Sequence, residues 1–262
     1  MNLELTGKRA LVLGGSGGLG KAVAMSLAAE GATVLITGRT QETLEKTAAE
    51  IKAAGGNVKT MVWDLKEIDK ISAHHAQAVQ TLGGPVEILF NNGGGPPPSP
   101  AQGQPVEKWR EQFESMVLSL ISITDAVLPA MVAANWGRVI TNTSSGVITP
   151  IPNLAMSNSL RSTLVGWSKT LAAEVADKGI TVNIVVPGRI ATDRLKFLDE
   201  ARAKREGSTL EEVEKKSKAT IPAKRYGNPR EYGDTVAFIA SARASYITGS
   251  TIRVDGGVVP NV

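Results

Sequence analysis

Cysteine is missing from all 262 residues. That excludes disulfides, thiolate nucleophiles and thiolate metal sites, and it fits a reducing compartment, so the cytoplasm is the expected location. Aromatic residues are scarce at 4%, so the core has to be aliphatic. Charge of one sign does not dominate: 29 Lys and Arg against 25 Asp and Glu leave a net +4. No dense basic run with interleaved aromatics appears, which argues against nucleic acid as a partner. No uncharged apolar stretch is long enough to span a bilayer, so no membrane partner is expected. The opening "MNLELTGKRALVLGG" also lacks the basic-then-apolar pattern of a secretory signal. The two histidines, His74 and His75, are adjacent. In a helix their rings point to different sides, so a solvated helix face is expected there and no metal site.

What the chain does have is alternation. Short apolar runs at 9–14, 33–37, 58–64, 87–91, 138–143, 181–186 and 251–255 are rich in Val, Ile, Leu and Thr. They read as strands buried on both faces. Helix-like segments lie between them near 18–30, 41–54, 68–82, 106–134, 156–177 and 229–242. Such alternation predicts an α/β domain with a parallel sheet of about seven strands and helices on both faces. No compositional break divides residues 1–262. Two segments interrupt the pattern. A Gly/Pro loop, "NNGGGPPPSPAQGQP", follows the fourth strand, and 194–225 is a charged helical insertion with ten Lys/Arg and six Asp/Glu. The insertion reads as a solvated lid over a substrate, or as a docking surface for an anionic substrate or carrier.

"LVLGGSGGLGKAVA" (11–24) places Gly14, Gly18 and Gly20 between a strand and a helix. Glycines there let the backbone approach a pyrophosphate, and the helix N-terminus supplies free N–H groups. "TGRT" (37–40) follows the second strand, with Gly38 where an acid would bind ribose hydroxyls and Arg39 beside it. Arginine suits a 2′-phosphate, so NADP(H) is expected, with NAD(H) the alternative. With "NNGG" (91–94), "DL" (64–65), "PGRIAT" (187–192) and "ITGSTIRVDGG" (247–257), the chain resembles the short-chain dehydrogenase/reductase family, including its 3-oxoacyl-carrier-protein reductases. That resemblance implies a Rossmann-type doubly wound sheet. It also implies a nucleotide site drawn from Gly14, Ser16, Gly17, Gly18, Leu19, Gly20, Arg39, Asp64, Leu65, Asn92, Gly93, Gly94, Arg161, Pro187, Gly188, Ile190 and Thr192. A homo-oligomer, tetramer or dimer, is implied by the same resemblance.

The family's catalytic residues are an Asn, a Ser, a Tyr and a Lys. By register they fall here on Met116, Ser144, Ser157 and Arg161, so only the serine is kept. An aliphatic hydroxyl is a far weaker acid than a phenol, by roughly five pKa units or about 7 kcal/mol. Arg161 stays protonated and is neither acid nor base, but it can grip an anion with a bidentate fork. Arg189 is expected to add a second positive charge, and Tyr226 on the insertion is the one tyrosine considered as a substitute acid. Three functions follow. The first is an NADP-dependent reductase whose Ser144 and Ser157 bind a carbonyl, with the proton coming through water or the substrate. Its arginines suit a keto acid or an acyl thioester. The second is a catalytically inactive NADP-binding sensor or subunit. The third is non-redox chemistry related to the halohydrin dehalogenases, which use Arg at the Lys position but have lost the nucleotide glycines.

Overall fold

The computed structural model describes residues 1–261. The seven apolar runs become seven strands: β1 (Arg9–Val12), β2 (Thr33–Gly38), β3 (Asn57–Val62), β4 (Ile88–Asn91), β5 (Gly137–Asn142), β6 (Ile180–Pro187) and β7 (Thr251–Val254). All pair in parallel, in the order β3-β2-β1-β4-β5-β6-β7. Successive side chains leave a strand on opposite faces. Leu11 and Leu13 therefore join Leu35, Leu89, Val139 and Val182 in one core. Ala10 and Val12 join Val34, Ile36, Ile88 and Phe90 in the other. With both faces covered, the strands need no polar side, which is why they read as continuous apolar runs.

Helices α1 (Gly18–Ala29) and α2 (Gln41–Ala53) bury Leu27, Leu44 and Ile51 in the second core. The first core is covered by α3 (Ile71–Leu82) and by the long segment α4 (Val106–Phe113), a π-turn (Glu114–Leu118) and α5 (Ser119–Ala133). Helix α6 (Ala155–Val175) packs beside them through Leu160 and Leu164. The 28-residue run Val106–Ala133 has a mean hydropathy of 1.9 in its most apolar window, long and apolar enough by composition to cross a bilayer. Asp125 interrupts the run, so no uncharged stretch in it is of spanning length, and its apolar character has another cause. The reason is packing: Val117, Leu120, Ile123, Val127 and Met131 are buried against the sheet. The His74 and His75 pair is also less solvated than expected, since His74 stacks on Trp63 at 4.9 Å and meets Glu67 at 3.2 Å.

The charged insertion forms α7 (Asp193–Glu206) and α8 (Leu210–Thr220), and α9 (Pro229–Ala240) then joins the second core. Thr192 caps α7, and a Thr209–Glu212 capping box starts α8, the signature that Thr-x-x-Glu announces in sequence. The insertion is not wholly solvated as expected, because Asp199, Ala203, Val213 and Ser217 are buried. Chain direction across the sheet reverses between β1 and β4. The loops leaving their C-terminal ends diverge there and open a crevice, the usual ligand position in a doubly wound sheet.

Candidate active site

The crevice is a cleft of about 780 Å³. One end is the turn between β1 and α1. Gly14 has φ +60°, and a Cβ there would lie 2.9 Å from the side chain and the carbonyl of Asn92. A Cβ on Gly20 would lie 2.1 Å from the Gly14 carbonyl. Only glycine permits this closeness at either position, which draws the α1 N-terminus down onto the strand. Gly17 precedes the helix, no side chain caps it, and no acid sits in its first turn. The first N–H groups of α1 therefore lack a side-chain acceptor, which fits an anion.

Of the expected nucleotide residues, Gly14, Ser16, Gly17, Gly18, Leu19, Asn92, Gly93, Gly94, Arg161, Pro187, Gly188, Ile190 and Thr192 line this one cleft. Gly20 lies beneath the turn as a spacer. Arg39, Asp64 and Leu65 lie outside the lining. Arg39 is exposed, the Asp64 carboxylate accepts from the Lys66 N–H at 3.1 Å, and Leu65 packs on the first core.

Ser144, Ser157 and Arg161 form the opposite end of the same cleft. Ser144 follows β5, and its Oγ accepts from the Gly146 N–H at 3.1 Å, so its own proton is left to donate elsewhere. Ser157, in the first turn of α6, is 8% exposed, and among the described residues its hydroxyl has no protein partner. Asn158 anchors the preceding loop through both its bonds to the Ile151 backbone, which fixes where Ser157 enters the helix. Met116 sits in the π-turn but is buried in the first core. The backbone irregularity is present while the polar side chain is absent.

Arg161 is also 8% exposed. It donates to the carbonyls of Asn142 at 3.1 Å and of Gly93 and Gly94 at 3.4 Å, with no acid beside it among the described residues. Burial, followed by the nearby Arg194 charge, pushes its pKa down to about 10. Holding the charge there costs on the order of 3 kcal/mol, yet the side chain remains a cation at neutral pH. A guanidinium carries five N–H donors, so the three carbonyls leave two free.

Arg189 does not supply the expected second charge, because its Nη1 pairs with Asp199 at 2.6 Å. Arg194 takes that place: its Nη2 donates to the Pro96 carbonyl at 2.7 Å, and no carboxylate meets it among the described residues. Tyr226 is not the substitute acid. It donates to Asp199 at 2.7 Å, lies outside the cleft lining, and is pushed up to about 12 by burial and that bond. Tyr232, far downstream in the sequence, stands directly behind the site. From α9 its hydroxyl donates to the Asn142 side chain at 2.8 Å, and Asn142 donates to Asn92 at 2.8 Å. Asn92 in turn donates to the carbonyls of Leu13 and Gly14 at 3.2 and 3.4 Å. Spacing along the chain carries no sign of this, since the hydroxyl crosses from α9 to the end of β5.

The comparisons agree with this geometry. A family model described as enoyl-(acyl carrier protein) reductase matches residues 14–259. The 3-oxoacyl-[acyl-carrier-protein] reductase FabG of Vibrio cholerae is 37% identical over 261 residues, covering 98% of this chain and 99% of that protein. The L-sorbose reductase of Gluconobacter frateurii, solved with NADPH and L-sorbose, superimposes with a TM-score of 0.93 at 28% identity, with all of both chains covered. An actinorhodin polyketide ketoreductase solved with NADPH gives 0.92 at 29% identity, covering 97% of this chain and 98% of that one. With one cleft running from a glycine turn to Ser144, and with these relatives along its whole length, the chain belongs to the short-chain dehydrogenase/reductase family and is an oxidoreductase of that family resembling its 3-oxoacyl-carrier-protein reductases.

Proposed function

We propose that the protein is an NADP-dependent reductase of a small carbonyl compound, working without the family's tyrosine. The observation that carries this reading is the single cleft joining a nucleotide-shaped turn to Ser144, Ser157 and Arg161. The residues fit the nucleotide: a side chain on Gly14 or Gly20 would fill the cradle, and the α1 N-terminus is free to hold a pyrophosphate. Arg39, exposed after β2, would meet the 2′-phosphate. The Arg161 donors left over reach the ribose or the substrate.

Bound nicotinamide supplies the hydride. The protein does the rest. Ser144 donates its free proton to the substrate carbonyl, and the Ser157 hydroxyl supplies a second hydrogen bond or orients a water. Arg161 and Arg194 stabilise the negative charge that develops on that oxygen. The final proton comes through water or from the substrate, because among the described residues no His, Lys or Tyr lines the cleft. Segment 194–225 covers the cleft as a lid, and the protein works as a homo-oligomer in the cytoplasm.

A second reading, a nucleotide-binding sensor without turnover, is favoured by Met116, Ser157 and Arg161 standing where catalytic groups stand in the family. NADPH oxidation against keto acids, acetoacetyl thioesters, diketones and quinones decides between them. Turnover that is lost in Ser144→Ala supports the reductase. Tight NADPH binding with no turnover across the panel supports the sensor. Arg39→Ala is expected to weaken NADPH roughly tenfold and leave NADH unchanged, the scale of one lost charge-assisted bond. Equal losses for both nucleotides would remove Arg39 from the argument.

A further inference from the structure

We infer that the substrate is an oxo acid, its carboxylate held between Arg161 and Arg194 and its carbonyl at Ser144 and Ser157. This rests on the reductase reading and names its substrate class.

The cleft lining carries five arginines, at 161, 189, 194, 202 and 205, against Asp193 and Asp199. Three of the arginines already have an acid partner, two of them sharing one carboxylate. Arg189 pairs with Asp199, and Arg202 and Arg205 both reach Glu206. Arg161 and Arg194 have no acid among the described residues, and they converge. A Cβ built on Gly95 would lie 3.1 Å from Arg194 Nη2 and 3.7 Å from Arg161 Nη2. Both guanidiniums therefore border the space that Gly95 leaves open; Arg161 Nη2 is engaged with the Gly93 and Gly94 carbonyls, so a carboxylate there would draw on its remaining Nε–H or Nη1–H and on the second Nη2–H of Arg194.

A buried arginine without an acid does not by itself imply a ligand. Arg138 is 2% exposed and also lacks one. It bonds the carbonyls of Gly137, Gly179 and Ser241 and lies over the Trp136 ring at 4.5 Å, away from any cleft. Its charge is met by those carbonyls and the Trp136 face, and it does not line the site cleft. Arg161 differs because it faces the cleft with donors to spare and with a second cation beside it. Arg194 is also the second residue of α7, where the helix dipole disfavours a cation. Asp193 beside it and the Pro96 carbonyl offset that placement in part, and an anion in the cleft would offset it further.

Chemistry then narrows the anion. Ser157 and Arg161 are four residues apart on α6, so one helical turn separates the carbonyl position from the cation. A carboxylate bonded to the carbonyl carbon, or one carbon removed, spans that distance within one small molecule. Its planar oxygens also match the guanidinium fork. The carbonyl oxygen at Ser144 and Ser157 would then lie about one helical turn from the pair, near enough for its charge to favour the negative charge that develops there. That arrangement offers electrostatic stabilisation where the family uses a phenol.

The test uses matched pairs: 2-oxobutyrate, benzoylformate and acetoacetate, each beside its methyl ester, with inorganic phosphate as a competitor. Binding is measured by calorimetry on the NADP⁺ complex, and turnover by NADPH oxidation. We expect at least one acid to bind and to exceed its ester in kcat/KM by tenfold or more. Arg194→Met should erase that preference while leaving NADP⁺ affinity within twofold, which also shows that the variant is folded. Arg194→Lys should keep part of it. The inference is overturned by an ester that equals its acid, by a preference that survives Arg194→Met, by no acid binding at all, or by phosphate occupying the site instead. An acid that binds without being reduced leaves the carboxylate site standing and sinks the reductase reading. Failure of NADP⁺ to bind sinks that reading at its first step.

Discussion

At the scale of single residues, the question is how Ser157 and Arg161 stand in for a tyrosine and a lysine. A serine cannot match a phenol as an acid, and an arginine at a pKa of about 10 holds its proton throughout the physiological range. On the proposed reading the site therefore works by charge and hydrogen bonding. Ser144→Ala is predicted to lower kcat by about 10²–10³, the cost of one oxyanion donor, with NADPH affinity unchanged. An unchanged kcat would remove Ser144 from the mechanism. Restoring the family pair with Ser157→Tyr and Arg161→Lys is predicted to raise reduction of neutral ketones by up to about 10²–10⁴, the range of general acid catalysis. It should lower reduction of oxo acids at the same time, because the second guanidinium is gone. If both substrate types rise together, Arg161 has no part in holding an anion.

Elements bring these residues together. The hydroxyl of Tyr232 crosses from α9 to Asn142 at the end of β5, and the amides continue to Asn92 and the glycine turn. The Asn142 carbonyl also receives Arg161. Tyr232 is fully buried, and its pKa is pushed far up by that burial. It positions and does not donate protons to substrate. Tyr232→Phe leaves the Asn142 oxygen without its donor and should cost about 1–3 kcal/mol in unfolding free energy, read by urea denaturation. It should also weaken NADPH, because Asn92 loses its brace. Loss of stability with unchanged NADPH affinity would limit Tyr232 to the core.

Helix α3 gives a pH prediction. Burial lowers the His75 pKa below its ordinary value of 6.5, so the unfolded chain binds the proton more readily. Stability from this group is complete above that value and is lost as pH falls through it toward the folded pKa. The melting temperature of the native protein should fall between pH 7 and 5 more steeply than that of His75→Gln. Parallel curves would show that carboxylates alone set the acid limit.

Across the whole molecule, a nucleotide in the proposed cleft would link two halves of a sheet that diverge from the β1–β4 boundary. NADPH at a hundred times its dissociation constant should stabilise the fold by about 2.7 kcal/mol, a rise of roughly 5–10 °C in melting temperature for a chain of this size. Scanning calorimetry checks this, and a shift with NADH but not NADPH would reverse the cofactor preference. The exposed apolar side chains Val106, Leu118 and Val132 lie along the α4–α5 segment. Light scattering is expected to show a dimer or tetramer, and a monomer at micromolar concentration would refute that.

Much of this was legible in the sequence because it is written at short range. Seven apolar runs, the spacing of Gly14, Gly18 and Gly20, and the capping Thr209–Glu212 pair are local signals of strand, turn and helix. They announced the parallel sheet and the glycine turn, while register against the family placed Met116, Ser157 and Arg161. Charge pairing is not local. Only the tertiary structure decided that Asp199, ten residues beyond Arg189, would neutralise it, and that Arg194 would turn instead to Gly95 beside Arg161. Tyr232 likewise reaches Asn142 across 90 residues of chain. Hydrophobic periodicity fixes which face of an element is buried. Which cation keeps its charge free for a ligand depends on what the neighbouring elements bring to it.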